Sequence, residues 1–168
     1  AEKHRGRFVS GRARLRQILG RYCEMDPQDV ELHFENLGKP FFADPNLNDR
    51  FQFNFSNSAD LAICAVTLAQ PIGVDLERIR PMTDMLGLAR RYFADAETDR
   101  LFARPVSSQP GAFFRLWTRK EAWLKAIGKG LTFPLRDVEV SFDDETCCVL
   151  SINQSVASAA SWSLIPFF

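Results

Sequence analysis

The segment "WTRKEAWLKAIGKGL", residues 117–131, joins an amphipathic helix to an abrupt glycine-rich end. At about 100° per residue, apolar side chains form one stripe along a helix over residues 110–127, and Gly128 ends that helix. The stripe consists of Phe113, Leu116, Trp117, Trp123, Leu124 and Ile127. Lys120 falls inside the stripe, where either its stem covers apolar surface or its ammonium reaches a ligand.

Two further charged residues on this helix are candidates for chemistry. Glu121 lies at the edge of the apolar stripe, and Lys125 lies one turn further along. A pair with this spacing is commonly an ordinary surface ion pair. The alternative is that Glu121 supplies a metal carboxylate and Lys125 contacts a phosphate. The "GKG" that follows either brings the backbone close to a ligand or is a plain helix end followed by a turn.

Upstream, "IGVDLE", residues 72–77, places two carboxylates two residues apart in an apolar run. On a strand, residues two apart point to the same face, so Asp75 and Glu77 are expected side by side. Close carboxylates repel, and a divalent cation such as magnesium relieves that repulsion. A strand end with both acids in water is the competing interpretation, and the two acids alone do not decide between them.

The hydrophobic patterns predict an α+β protein in two halves, residues 1–71 and 72–168, which meet near Pro71 and form one functional unit. Helical spacing predicts helices over residues 7–22, 85–93, 96–103 and 110–127. Residues rich in turn formers predict loops at 45–49 and 105–110. Strands are predicted at 30–35, 51–56, 61–69 (as a central strand), 72–77, 137–142, 147–152 and 161–168.

Composition and charge narrow the class of protein. The chain of 168 residues is 46% hydrophobic and 25% charged, with zero net charge, which is typical of a globular protein. No apolar run could span a bilayer and no signal peptide opens the chain, so we expect a cytoplasmic protein that does not bind a membrane. Four cysteines without metal-ligand spacing predict reduced thiols. The basic residues concentrated in segment 1–22 indicate either an anionic ligand or a solvated face beside the acidic segment 24–49, and composition alone favours the solvated face.

Taken together, these segments resemble the 4′-phosphopantetheinyl transferases of the surfactin-synthetase-activating type. "WTRKEAWLKAIGKGL" meets the family pattern W-[ST]-x-K-E-[AS]-x-x-K-x-x-G-x-G-L at every specified position, and "GVDLE" meets its Gly-Val/Ile-Asp-hydrophobic-Glu pattern. Three further segments are similar to the family's Gly-Lys-Pro turn, its F-N-x-S-H-S strand entry and its basic first helix: "GKPFF" (38–42), "FNFSNSADLAICAV" (53–66) and "RFVSGRARLRQIL" (7–19). The resemblance covers nearly the whole chain.

The resemblance implies an α+β fold of two similar halves related by a pseudo-two-fold axis, with the active site between them. It implies that the 4′-phosphopantetheine arm of coenzyme A moves to a serine of an apo acyl or peptidyl carrier protein, with Mg²⁺ required and 3′,5′-ADP released. Asp75, Glu77 and Glu121 would bind the magnesium ion, and Lys125 would contact the phosphates. The residues implied around the 3′-phosphate and adenine are Arg12, Arg16, Lys39, Pro40, Ser56 and Asn57.

Two details of this interpretation concern the chemistry. Glu121, directly or through a metal-bound water, is the candidate general base for the serine proton, and with Lys125 it completes the catalytic pair. The family commonly has His where this chain has Asn57, which can donate a hydrogen bond to a phosphate but carries no charge. We therefore expect weaker coenzyme A binding than in a histidine-bearing relative, unless a nearby arginine compensates.

The alternatives are a Mg²⁺-dependent phosphohydrolase and a catalytically silent module that binds coenzyme A or a carrier protein. A phosphohydrolase would explain the three acids, but neither the basic first helix nor the long helix motif. Loss of a metal ligand would favour the silent module, but all three acids are present. The short basic stretch and zero net charge argue against nucleic-acid binding. A monomer is expected, because the family's pseudo-two-fold places both halves in one chain.

Overall fold

The computed structural model describes residues 2–143 and 145–167, and leaves the side chains of residues 2–8 and 131 outside the description. The chain forms two compact units: Ala1–Leu76 with Lys125–Gly128, and Glu77–Leu124 with Lys129–Phe168. Helices and antiparallel strand pairs follow one another along the chain, which confirms the predicted α+β class. The pseudo-two-fold relation, and the division into halves at residue 71, stay predictions.

The first unit begins with helix α1, Glu2–Cys23, which contains the predicted residues 7–22. Leu15 and Leu19 lie one turn apart on its buried face. The helix ends where Glu24 adopts a positive φ of 55° and the N–H of Met25 donates to the carbonyl of Gly20 at 2.9 Å. This bond satisfies a carbonyl that the helix itself leaves without a donor.

Two short strands and a short helix follow α1. Strands β1, Leu32–Phe34, and β2, Pro40–Phe42, pair antiparallel, so β1 lies within the predicted strand at 30–35. Helix α2, Pro45–Arg50, occupies the segment for which a loop is predicted, and that prediction is wrong. The helix forms here because the Asp44 side chain accepts from the N–H of Asn46 at 2.8 Å and caps the N-terminus. Pro45 then occupies the first helical position, which suits a proline.

Strands β3, Phe51–Ser58, and β4, Leu61–Leu68, form an antiparallel hairpin that packs on α1. The strand at 51–56 is confirmed, and Phe51 and Phe53 join the core of this unit. The prediction that 61–69 is a central strand is wrong: among the described residues β4 pairs with β3 alone. Leu61 and Leu68 are 69% and 64% exposed, so the ends of this apolar run lie at the surface.

The strand predicted over residues 72–77 is also wrong, because the described residues 71–82 contain no regular secondary structure. The backbone N–H groups of Val74 and Leu76 donate to the side chains of Asn54 and Ser56 instead of to a neighbouring strand. The segment is therefore held in place without a β-ladder.

The second unit contains the three helices that the sequence predicts beyond residue 82. They are α3, Met85–Tyr92, α4, Asp95–Phe102, and α5, Gln109–Ile127, of which α5 belongs to this unit as far as Leu124. A short 3₁₀ turn, Val106–Ser108, lies in the predicted loop. The rings of Phe113 and Trp117 stack with centroids 5.9 Å apart, and Leu116 and Leu124 are fully buried. The apolar stripe of the long helix is thus confirmed.

A small antiparallel sheet and a short helix complete the second unit. Strands β5, Val138–Val140, and β6, Val149–Ile152, lie inside the predicted strands and pair with Val138 opposite Ile152. Helix α6, Val156–Ala159, follows after Ser155, whose side chain accepts from the N–H of Ser158. The strand predicted over 161–168 is wrong for the described residues 161–167, which are irregular apart from one turn residue, and residue 168 lies outside the description.

Candidate functional site

Asp75 is the best-defined candidate residue in the first unit, and its position is set by strand β3. Asn54 and Ser56 lie two residues apart on β3 and are both buried. The N–H of Val74 donates to Asn54 Oδ1 at 2.9 Å, and the N–H of Leu76 donates to Ser56 Oγ at 3.2 Å. Asp75 therefore lies between two backbone groups that are anchored to the same strand.

The two carboxylate oxygens of Asp75 have different surroundings. Oδ1 lies 2.6 Å from Lys125 Nζ and accepts from Ser56 Oγ at 3.2 Å. Oδ2 is buried, and among the described residues no donor lies within hydrogen-bond distance of it. A buried carboxylate oxygen without a donor is unusual in a folded protein. It is also the kind of atom that a hard cation such as magnesium takes as a ligand, so Asp75 fits the implied metal site.

Lys125, the predicted phosphate contact, lies in the last turn of α5 and belongs to the first unit. Besides Asp75, its ammonium contacts Ser56 Oγ at 3.1 Å and donates to the carbonyl of Val74 at 3.2 Å. The side chain is 29% exposed, so this ammonium is only partly shielded from solvent. The structure thus brings together three sequence-predicted site residues: Asp75, Ser56 and Lys125.

Lys39 and Pro40 line a cavity of about 240 Å³ on the first unit, together with Glu35, Phe41, Asn48, Phe51, Gln52 and Phe53. Lys39 also donates through Nζ to the carbonyl of Lys125 at 2.8 Å and to that of Ala126 at 3.4 Å. A cation at the C-terminus of a helix is favourable because the last carbonyls lack helical donors. Burial lowers the pKa of Lys39, and the attraction of Glu35 opposes that shift.

The other predicted coenzyme contacts lie at the surface of the first unit. Arg12 is exposed on α1, with its guanidinium 4.4 Å from the centroid of the Phe34 ring. Arg16 is also exposed, and its Nε donates to the carbonyl of Val30 at 3.1 Å. Asn57 is exposed on β3, opposite Ala62 of β4. Their predicted contacts with the 3′-phosphate and adenine stay predictions.

The other two predicted metal ligands belong to the second unit. Glu77 forms an ion pair with Arg80 at 3.1 Å, and Glu121 is a half-buried residue of α5. Within the described part of each unit, no group of three or more His, Cys, Asp or Glu side chains is arranged to hold a metal ion. A site made of Asp75, Glu77 and Glu121 needs residues of both units and therefore stays a prediction.

Lys120 meets neither expectation from the sequence: its stem does not cover surface, and its ammonium is not available to a ligand. It is 0% exposed, and its Nζ lies 2.6 Å from Glu97 Oε2. Nζ also donates to the carbonyls of Leu135, at 2.9 Å, and Val138. Burial lowers the pKa of Lys120 and raises the pKa of Glu97, while their mutual attraction opposes both shifts. Both groups are fully engaged within the second unit, so Lys120 has a structural role there.

A sequence profile of the 4′-phosphopantetheinyl transferase superfamily matches residues 71–164, more than half of the chain. The chain belongs to this superfamily. The matched region contains "GVDLE" and the whole of α5, so it includes Asp75 and Lys125. The family resemblance of the sequence is thereby confirmed.

Individual members of the 4′-phosphopantetheinyl transferase superfamily are also similar over most of the chain. The 4′-phosphopantetheinyl transferase HetI of Nostoc sp. is 39% identical over 97% of this chain and 66% of its own length. The 4′-phosphopantetheinyl transferase Sfp of Bacillus subtilis is 35% identical over 80% of this chain and 57% of its own length. The chain thus spans about three fifths of the length of these relatives. In its described part, no helix is long and apolar enough to cross a bilayer.

Sequence reasoning missed two residues: one that positions the candidate site and one that stabilises the second unit. Asn54 holds the backbone beside Asp75, and Glu97 neutralises Lys120. Asn54 could have been suspected, because it is a polar residue in the middle of a strand between phenylalanines. For Glu97 the signal was indirect: a lysine inside an apolar stripe requires a buried acid, but the spacing does not say which one.

Proposed function

We propose that this chain is a 4′-phosphopantetheinyl transferase that modifies carrier proteins. It would transfer the 4′-phosphopantetheine arm of coenzyme A to a serine of an apo acyl or peptidyl carrier protein. Membership of the superfamily supports the class of reaction. The observation that carries the proposal is the Asp75 cluster, in which a buried carboxylate with one open oxygen lies beside the Lys125 ammonium.

The proposed reaction exchanges one phosphorus–oxygen bond for another. The serine oxygen forms a bond to the phosphorus atom that carries the pantetheine arm, and the bond from that phosphorus to the bridging oxygen breaks. The leaving group is 3′,5′-ADP. Glu121 would take the serine proton, directly or through water, as general base. Reactions of this kind depend chiefly on positioning and on neutralising charge.

Mg²⁺ held by Asp75, Glu77 and Glu121 would supply positive charge to the pyrophosphate of coenzyme A. Lys125 would add a second cation by turning its ammonium from Asp75 to a phosphate oxygen. Lys39 and Pro40 line a cavity suited to part of the nucleotide. We propose that Arg12, Arg16 and Asn57 complete the surroundings of the 3′-phosphate and adenine.

Intact-mass spectrometry of apo carrier proteins tests this function. Carriers from fatty-acid, polyketide, nonribosomal-peptide and aminoadipate-reductase systems are incubated with the protein, coenzyme A and Mg²⁺. We expect a mass gain of one phosphopantetheine arm on at least one carrier, abolished by EDTA and by Asp75→Asn. The matched control is Asp95→Asn, because Asp95 is 87% exposed and pairs with Arg136 at the surface. Absence of any gain with coenzyme A bound would instead indicate a silent binding module.

The role of Glu121 needs a separate measurement, because Glu121 is proposed both as ligand and as base. A Glu121→Gln variant is compared with the unaltered chain at saturating Mg²⁺, with metal occupancy measured in parallel. We expect turnover to fall by at least about 100-fold even where the metal is bound. Full turnover of a metal-loaded Glu121→Gln variant would rule out Glu121 as the base.

A further inference from the structure

We propose that Asn54 and Ser56 are positioning residues that fix Asp75 as a metal ligand. Their side chains replace the β-ladder that residues 74–76 lack. They hold Asp75 with one carboxylate oxygen saturated and the other open. This inference rests on the proposed function, since it takes Asp75 as the ligand.

The first argument is the spacing of the two anchors. Asn54 receives the N–H of Val74, and Ser56 receives the N–H of Leu76. A step of two residues on β3 thus matches a step of two residues on the segment, in the same direction along the chain. A strand advances about 6.6 Å over two residues, so the segment must be nearly extended where it carries Asp75. Two anchors at this spacing fix its register as well as its position.

The second argument is that the Ser56 hydroxyl is fully used. A hydroxyl has one donor hydrogen and two acceptor lone pairs. Ser56 Oγ donates to Asp75 Oδ1 at 3.2 Å, accepts from the N–H of Leu76 at 3.2 Å, and lies 3.1 Å from Lys125 Nζ. A ligand phosphate can therefore receive this hydroxyl only when one of the three contacts breaks. The geometry therefore fits a Ser56 hydroxyl that orients the Asp75 carboxylate better than one that is available to bind a ligand.

The third argument is the asymmetry that this arrangement creates at Asp75. Lys125 and Ser56 both engage the same oxygen, Oδ1, so a partial rotation of the carboxylate would lengthen both contacts at once. Oδ2 stays buried without a donor among the described residues. Groups that orient a metal ligand in this way commonly change metal affinity by 10- to 100-fold when they are removed. A purely structural role would predict loss of stability without that change.

The test is the affinity of the whole chain for Mn²⁺, measured by electron paramagnetic resonance and by calorimetry, with and without saturating coenzyme A. The variants are Ser56→Ala, Ser56→Thr, Asn54→Ala and Asp75→Asn. Thr67→Val is the control, because it removes a half-buried residue's hydroxyl from the other strand of the same hairpin. Thermal unfolding gives the fraction of each variant that is folded.

We expect Asp75→Asn to abolish the bound Mn²⁺ and Ser56→Ala and Asn54→Ala to weaken it by about tenfold or more. Ser56→Thr keeps the hydroxyl and is expected to stay within about threefold of the unaltered chain, as is Thr67→Val. Mn²⁺ affinities of folded Ser56→Ala and Asn54→Ala equal to that of the unaltered chain would overturn the inference while leaving the proposed function intact. No Mn²⁺ bound to the unaltered chain, or equal binding by Asp75→Asn, would overturn the metal role itself.

A second measurement needs no substitution and covers the case in which the variants do not fold. The amides of Val74 and Leu76 lie in a segment without regular structure, yet each donates to a buried side chain. Hydrogen exchange followed by NMR is therefore expected to show both amides protected to nearly the degree of the β3 amides. Exchange as fast as that of an unstructured peptide would show that the anchors do not hold in solution.

Discussion

Replacing Lys120 by methionine removes the ammonium from the buried pair with Glu97 while keeping most of the side-chain volume. The two side chains are 0% and 3% exposed, so the Glu97 carboxylate cannot turn to water. Removing one partner of a buried ion pair costs about 3–5 kcal/mol. The carboxylate keeps two donors, the N–H groups of Ala94 and Val140, each at 2.9 Å, which favours the lower end of that range.

The backbone adds a second, smaller loss. The carbonyls of Leu135 and Val138 both lose the Lys120 donor, at about 1 kcal/mol for each hydrogen bond. Relaxation and water entry recover part of that amount. We therefore expect Lys120→Met to lower the free energy of unfolding by about 4 kcal/mol, a large share of the 5–15 kcal/mol typical of a domain.

Urea denaturation followed by circular dichroism measures this loss, and a double-mutant cycle tests its cause. Glu97→Gln and the double variant complete the cycle, and the double variant is expected to be more stable than the sum of the single losses predicts, by about 2 kcal/mol or more. Lys129→Met is the matched control: Lys129 is exposed, so a change within about 0.5 kcal/mol is expected. Additive losses, or a cost of Lys120→Met below about 1 kcal/mol, would refute the reasoning.

The pH dependence gives an independent check on the same variant. Burial raises the pKa of Glu97, and replacing Lys120 removes the positive charge that opposes that rise. A carboxyl whose pKa is higher in the folded protein favours folding below its unfolded pKa, and that contribution is lost as pH rises through its folded pKa. The deficit of Lys120→Met is therefore expected to shrink as pH falls from about 7 towards 5. A deficit independent of pH would mean that Glu97 is not the group left uncompensated.

Three further predictions concern the first unit. Lys39→Met is expected to lower the free energy of unfolding, measured by urea denaturation, by about 1 kcal/mol, because two carbonyls at the end of α5 lose their donor. No change would mean that these hydrogen bonds are absent in solution. Gly128→Ala is expected to lower the free energy of unfolding by about 1 kcal/mol or more, because φ there is +69°. Gly111→Ala in α5 is the control: an added methyl meets open space there, so a neutral or stabilising effect is expected. Equal effects of the two variants would refute the argument from φ. Burial raises the pKa of Cys64 to about 11, so alkylation of this thiol at pH 8 is expected to be about 100-fold slower than in the urea-unfolded chain. The stability that the protonated thiol contributes is lost as pH rises through this folded pKa. Equal alkylation rates in the folded and unfolded chain would show that the thiol has an ordinary pKa.

The sequence predicts most of the second unit because its helices carry their own signals. The apolar stripe of α5 has helical period, and Gly128 supplies the left-handed conformation that ends it. The family motifs also single out Asp75 and Lys125, which the structure brings within 2.6 Å. Local pattern and motif spacing were sufficient for these features.

Other features depended on partners that are distant in the sequence. Residues 72–77 read as a strand, but their N–H groups are taken by side chains about 20 residues earlier, and no local pattern encodes that choice. The apolar sequence of β4 is typical of a central strand, yet β4 pairs with only one strand in the described chain. An apolar run therefore did not distinguish an edge strand from a central strand. Helix α2 was predictable in principle, because Asp44 before Pro45 is a helix start, but the polar composition of residues 45–49 suggested a loop.

The ammonium of Lys39 has two roles at once, since it lines the cavity on the first unit and holds the last carbonyls of α5. If a nucleotide binds in this cavity as proposed, an ammonium drawn towards it would be lost as a donor to the turn that carries Lys125. Thermodynamic linkage makes the relation mutual: whatever steadies that turn weakens the nucleotide's hold on Lys39 by the same factor. In the proposed enzyme, filling of the cavity and release of Lys125 from Asp75 would then be coupled through a single nitrogen atom, Nζ of Lys39.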